Sequence, residues 1–94
     1  MAIYEDPEGH EPAAFAAAKL SFAGCRVLEI GAGDGRLTRQ YARDAVSVMA
    51  IDPDAAAIAR LAAELTTVDA RAMTVAELVL PASSVDVALF AWSL

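Results

Sequence analysis

The chain has one cysteine and one histidine in 94 residues, and only seven basic side chains against thirteen acidic ones. A single Cys25 excludes an internal disulfide and a cysteine-based metal cluster. Its place just before a strand suits a small packed residue better than a nucleophile. His10 stands in a leader containing proline and glycine, with no partner at metal-ligand spacing, so no metal site is expected. The net charge is −6 and the Lys and Arg are scattered. A sequence-independent grip on phosphates needs clustered positive charge, so nucleic acid is not an expected partner. No apolar run approaches the ~20 residues that span a bilayer. Residues 1–10 are polar and acidic, without the basic-then-apolar order of a secretory signal. A soluble, cytoplasmic chain with no membrane partner is the expectation.

What the chain does have is apolar residues, 57% of the total, many of them alanine. Its length allows one domain, which buries about two-thirds of the surface its unfolded chain exposes. The organising stretch is Val27 to Arg36, VLEIGAGDGR. A short β-prone run stops at Gly31, and Leu37, Tyr41 and Ala42 then recur at helical spacing, which puts the glycines at a strand-to-helix turn. Gly31, Gly33 and Gly35 need no Cβ clearance and accept positive φ; with the amides at the helix start pointing outward, a nucleotide-like ligand can approach the backbone. Glycine also serves such turns for purely structural reasons.

Acidic residues surround this loop. Glu29 lies in the strand, Asp34 in the loop, and Asp52 at the carboxyl end of a second apolar run, Val46 to Ile51. Carboxylates here repel a pyrophosphate. The dinucleotide fingerprint G-x-G-x-x-G also needs a small residue where this chain has Arg36, and its third glycine comes one place early, at Gly35. An acid about twenty residues past the loop suits a ribose in either kind of site, so Asp52 supports a ribose without choosing the cofactor.

Glu29-Ile30-Gly31-Ala32-Gly33-Asp34-Gly35, followed by Ala50-Ile51-Asp52-Pro53, resembles the first two motifs of the class I S-adenosylmethionine-dependent methyltransferases. The resemblance runs from about Cys25 onward. It implies an α/β fold: a Rossmann-like parallel sheet with flanking helices, strand order 3-2-1-4, lacking the later strands of the seven-stranded family fold. It implies that the loop, Gly31, Ala32, Gly33 and Gly35, wraps the methionine and ribose portions of the cofactor. It gives Asp52, with Pro53 beside it, the ribose hydroxyls, and makes Glu29 the acid of the first motif. Family members often meet the adenine amino group with an acidic and a small residue after the third strand. Asp69-Ala70 resembles that pair, with Ala72 or Met73 as alternatives. The fourth strand then ends, at Ala91, beside the transferable methyl group.

Along the chain, Pro12 suits the first turn of a helix reaching Leu20, with Phe15 facing inward. Tyr4 and Phe15 fit packing better than ligand contact. Leu37 to Asp44 completes the first crossover helix, and the continuous apolarity of Val46 to Ile51 predicts a parallel strand covered on both faces. Pro53 opens a helix whose Ile58, Leu61, Ala62 and Leu65 form one buried stripe, with Arg60 and Glu64 on the solvent side. Thr66 to about Ala72 is the third strand, Thr74-Val75-Ala76-Glu77 has the form of a capping box, Pro81 to Ser84 is a turn, and Val85 to Phe90 is the fourth strand. Trp92 fits the flank of a sulfonium or the core equally. Ala91-Trp92-Ser93-Leu94 stands where DNA amino-methyltransferases carry an Asn- or Asp-Pro-Pro-aromatic motif, and resembles small-molecule methyltransferases instead.

The expected activity is therefore methyl transfer from S-adenosylmethionine to a small-molecule acceptor, with no catalytic side chain assignable. Residues 1–94 read as a single, partial methyltransferase domain with a flexible leader at 1–10. Only four strands can be read, which leaves the fourth as an open edge through which the chain self-associates. The rivals are a non-catalytic cofactor-binding or interaction module and a nicotinamide-dependent oxidoreductase.

Overall fold

A computed structural model of the chain describes residues 2–6, 22–80 and 84–91. Five strands form one sheet: β1 (Ala2–Asp6), β2 (Arg26–Ile30), β3 (Ser47–Asp52), β4 (Asp69–Ala72) and β5 (Val87–Ala91). Two helices, α1 (Thr38–Tyr41) and α2 (Ala55–Glu64), and a 3-10 turn at Val75–Glu77 complete the described elements. The strand order is β1-β5-β2-β3-β4, and every pairing is parallel. Its last four members are the expected strands in the expected 3-2-1-4 order. The chain winds from β2 through β3 to β4 on one side and returns to β5 on the other. The carboxyl end of β2 thus lies at the reversal of strand order, where open α/β sheets bind ligands.

Local sequence accounts for most of this. Val27, Leu28 and Glu29 are all buried in β2, and so are Val48, Ala50, Ile51 and Asp52 in β3, as strands covered on both faces require. Val46 falls outside β3 and is exposed. Asp54, extended at φ −77° and ψ 97°, is the N-cap of α2, its carboxylate accepting the amide of Ala57 at 3.1 Å. Pro53 therefore precedes the cap instead of opening the helix. The buried face of α2 is Ala57, Ile58 and Leu61. Ala62 is exposed and Leu65 half-buried, because the stripe is turned one position toward the amino end. The capping box at Thr74 and Glu77 forms, with the Thr74 amide donating to the Glu77 carboxylate at 2.9 Å.

Two expectations fail at the start of the chain. Residues 2–6 are not a flexible leader but a strand, paired with β5 from Ala2 beside Val87 to Asp6 beside Ala91. The fourth strand of the expected order, β5, is consequently not an open edge. A buried strand needs partners for its backbone amides and carbonyls on both sides, and β1 supplies them on the side away from β2. The helix expected over 12–20 with Phe15, the Pro81 part of the last turn, His10 and Trp92 lie outside the described residues.

The core joins Phe22, Val27, Leu37, Tyr41, Val48, Ile58, Leu61, Val87 and Leu89. Phe22 and Tyr41 meet edge to face with ring centroids 4.9 Å apart. At the amino ends of β2 and β5, the Asp86 carboxylate accepts from the Arg26 amide at 2.8 Å and from its guanidinium at 3.0 and 3.1 Å. The Asp86 amide donates back to the Arg26 carbonyl at 2.8 Å. This clasp sets the register of the two central strands, so that their carboxyl ends finish side by side.

Candidate functional site

The turn after β2 is built against its two neighbouring strands. Gly31 has φ +79°, and a Cβ placed on it would lie 2.0 Å from the carbonyl oxygen of Ala91, at the end of β5. Only glycine lets the loop pass so close to that strand. Gly35, at φ +94°, presses on the core: its Cβ would lie 2.4 Å from Cδ1 of Leu61.

Four amides of the loop itself turn inward. Those of Gly31 and Ala32 both donate to the Ile51 carbonyl, at 2.9 and 3.1 Å, and that of Gly35 to the Ala32 carbonyl at 3.0 Å. The Gly33 amide donates to Oδ2 of Asp52 at 3.0 Å. A cradle for a pyrophosphate requires such amides to face the ligand. Four of those nearest the strand are instead engaged by the protein.

Asp52 closes β3 and is buried, 6% exposed. Its Oδ1 accepts the Asp54 amide at 2.8 Å while Oδ2 holds Gly33, so the carboxylate is fixed by one amide on each oxygen. Each oxygen keeps a further acceptor position. A rigid two-oxygen acceptor at the carboxyl end of a parallel strand is suited to a pair of adjacent hydroxyls.

Glu29 is fully buried two residues before Gly31. Its Oε1 accepts hydrogen bonds from the Thr38 hydroxyl at 2.8 Å and the Tyr41 hydroxyl at 2.5 Å, both from α1, while Oε2 has no partner. Loss of solvent pushes its pKa up from 4.5 to about 7, against the pull of the Tyr41 and Thr38 hydroxyls and of the Arg36 charge. Tyr41 is in turn driven to a higher pKa, first by burial and then by the Glu29 charge and hydrogen bond.

A family model described as a methyltransferase domain matches residues 27–94. The chain belongs to the methyltransferase-domain family. Its parallel sheet, strand order and glycine loop are those of the class I, Rossmann-like form. Among curated proteins, none matches this methyltransferase domain.

The domain brings together most of the residues that its sequence singled out. Gly31, Ala32, Gly33 and Gly35 form the turn, Asp52 and Pro53 flank it at the end of β3, and Ala91 meets it from β5. Glu29 lies directly beneath. Asp69 and Ala70 are the exception. Asp69 pairs in register with Met49, three residues before Asp52, which places it about 10 Å down the sheet. Its carboxylate is engaged by Arg71 at 2.8 Å. The pair opens β4, whereas Asp52 and the glycine loop lie where the strand closes. There Ala72 lies beside Asp52, and the Met73 amide donates to the Asp52 carbonyl at 3.1 Å. Ala72 and Met73, the alternatives to that pair, are the residues that lie beside Asp52.

Sequence reasoning missed Thr38 and Tyr41. The signal was present: an acid inside an apolar strand must find donors, and two hydroxyl residues three apart stand on one face of the following helix.

Proposed function

We propose that this chain binds S-adenosylmethionine as the methyltransferase domain of an enzyme acting on a small-molecule acceptor, working in the cytoplasm. The observation that carries the reading is the Asp52 carboxylate, pinned by the Gly33 and Asp54 amides beside a loop four of whose amides are engaged by the protein. This arrangement suits a ribose diol and offers little to a pyrophosphate. The buried acid Glu29, with one oxygen unpartnered, suits a ligand that carries cationic groups. The residues therefore fit S-adenosylmethionine better than a nicotinamide dinucleotide.

In this reading Asp52 accepts from the two ribose hydroxyls, the loop covers the methionine portion, and Ala72 or Met73 borders the adenine. Ala91, buried at the end of β5, lines the side from which an acceptor approaches. Bound cofactor supplies a methyl group already activated on a sulfonium, so the protein's part is alignment and exclusion of water. A dedicated general base is not required for every acceptor, and none of the described residues is assigned that role. The acidic net charge of −6 supports a small acceptor over a nucleic acid. No helix among the described residues is long and apolar enough to cross a membrane.

Calorimetric or amide NMR titration of the chain with S-adenosylhomocysteine, with NAD as control, tests the reading. Binding of the first with little response to the second is expected. Asp52→Asn removes the charge while keeping the shape, and is expected to weaken S-adenosylhomocysteine about 10- to 100-fold, the scale of charge-assisted hydrogen bonds. Unchanged affinity in a folded Asp52→Asn variant, or preference for NAD, would sink the assignment.

A further inference from the structure

We propose that Thr38 and Tyr41 are positioning residues of the cofactor site: they hold Glu29 by Oε1, reserve Oε2 for the ligand's ammonium group, and Glu29 gives up a proton when that group arrives. The proposal rests on the cofactor reading above and extends it to two side chains and a proton outside the glycine loop.

The geometry is lopsided. Both hydroxyl donors converge on one oxygen of a fully buried carboxyl group, and the other has no partner. Buried polar atoms are nearly always satisfied, so an unmatched one marks either a bound proton or a missing partner. Glu29 uses both in turn. In the empty site the carboxyl group holds its proton below about pH 7, the value to which burial raises it. In the occupied site the ammonium replaces the proton. The carboxylic acid becomes a carboxylate paired with the ammonium, and the proton leaves to buffer.

The surroundings enforce the choice of oxygen. Tyr41 is fully buried with its ring against Phe22, and Thr38 is fully buried one turn before it, so packing holds both donors on the Oε1 side. In the sheet Glu29 pairs with Ala50 of β3 and Leu89 of β5, which bring no charge. The charged group acting on it is Arg36 in the loop, and α1 contributes Thr38 and the titratable Tyr41. Removing either hydroxyl withdraws support from the ionised form. The midpoint for proton loss then moves up, by about one unit for a hydrogen bond to a charged group.

The test is calorimetry of the intact chain between pH 6 and 8, in buffers of different ionisation enthalpy, with two probes. S-adenosylhomocysteine carries the ammonium; 5′-methylthioadenosine carries the same nucleoside without the amino acid. Release of about 0.9 proton at pH 6 and about 0.1 at pH 8, with affinity rising about tenfold over that range, is expected for the first probe alone. Tyr41→Phe and Thr38→Val are each expected to shift the profile upward, and Thr38→Ser to restore it. Thr38 serves if Tyr41→Phe does not fold. Binding of S-adenosylhomocysteine with no more proton release than 5′-methylthioadenosine, or profiles unmoved in folded variants, overturns the proposal and leaves the cofactor reading standing. Failure of both probes to bind overturns both.

Discussion

A buried carboxyl group makes the empty fold respond to pH in the direction opposite to most acids. Glu29 titrates near 7 in the folded chain against 4.5 ordinarily, so between those values the folded state binds the extra proton. Stability is full below about pH 4.5, falls as pH rises, and levels off above about 7, a loss of about 3 kcal/mol from the shift. Urea unfolding at pH 5 and pH 8 should show that decline, and Glu29→Gln should remove it. Asp86 runs the other way. The Arg26 guanidinium and amide hold it near 2, so its contribution is complete above its ordinary value and is lost as pH falls through 2. Because that pair faces solvent, it sets register more than stability. Glu29 and Asp52 were legible in the sequence because their residue type and spacing from the glycines are local facts. The donors on Glu29 were only hinted at by two hydroxyl residues three apart, since which of them reach it depends on how α1 crosses β2, nine and twelve residues further on.

At the scale of elements, the turn after β2 is held by steric contact as much as by ligand chemistry. The obstacle facing Gly31 is the backbone of β5, which cannot swing aside, whereas Gly35 faces the tip of the flexible Leu61 side chain. Gly31→Ala adds overpacking to left-handed strain and is expected to cost about 2–4 kcal/mol; Gly35→Ala, chiefly strain, about 1–3. Urea midpoints that reversed this order would show that the Ala91 contact is not the tighter constraint. The elements themselves were readable where apolarity is continuous, as in β2 and β3. They were misjudged where alanine carries the pattern. Ala62 fits the α2 stripe by spacing yet is exposed, because alanine costs almost nothing on either face; Ala57 does the packing instead. At β4, a four-residue strand with a mostly exposed pattern has no periodicity to locate its end, so the sequence leaves Asp69-Ala70, Ala72 and Met73 as alternatives, of which Ala72 and Met73 lie beside Asp52.

For the whole molecule, sheet order follows from the family motifs, but the partner of its outer central strand does not. Ala2–Asp6 includes two acids and lacks the apolar run that marks β2 and β3; its strand state comes from the vacant side of β5, which no local window contains. Deleting residues 1–6 should uncover that side. Sedimentation is expected to show concentration-dependent association of the shortened chain, with the intact chain monomeric at the same concentrations. A monomeric shortened chain would mean that other residues guard the strand. The same pairing also orders events in time. Ala2 finds its place only beside Val87, so on the ribosome β1 emerges before its partner and has no seat until β5 has been made. The central strands β2 and β3, joined by a short crossover, are free to assemble early, while β1 waits unpaired and docks late. A chaperone or protease therefore meets that strand before the sheet does.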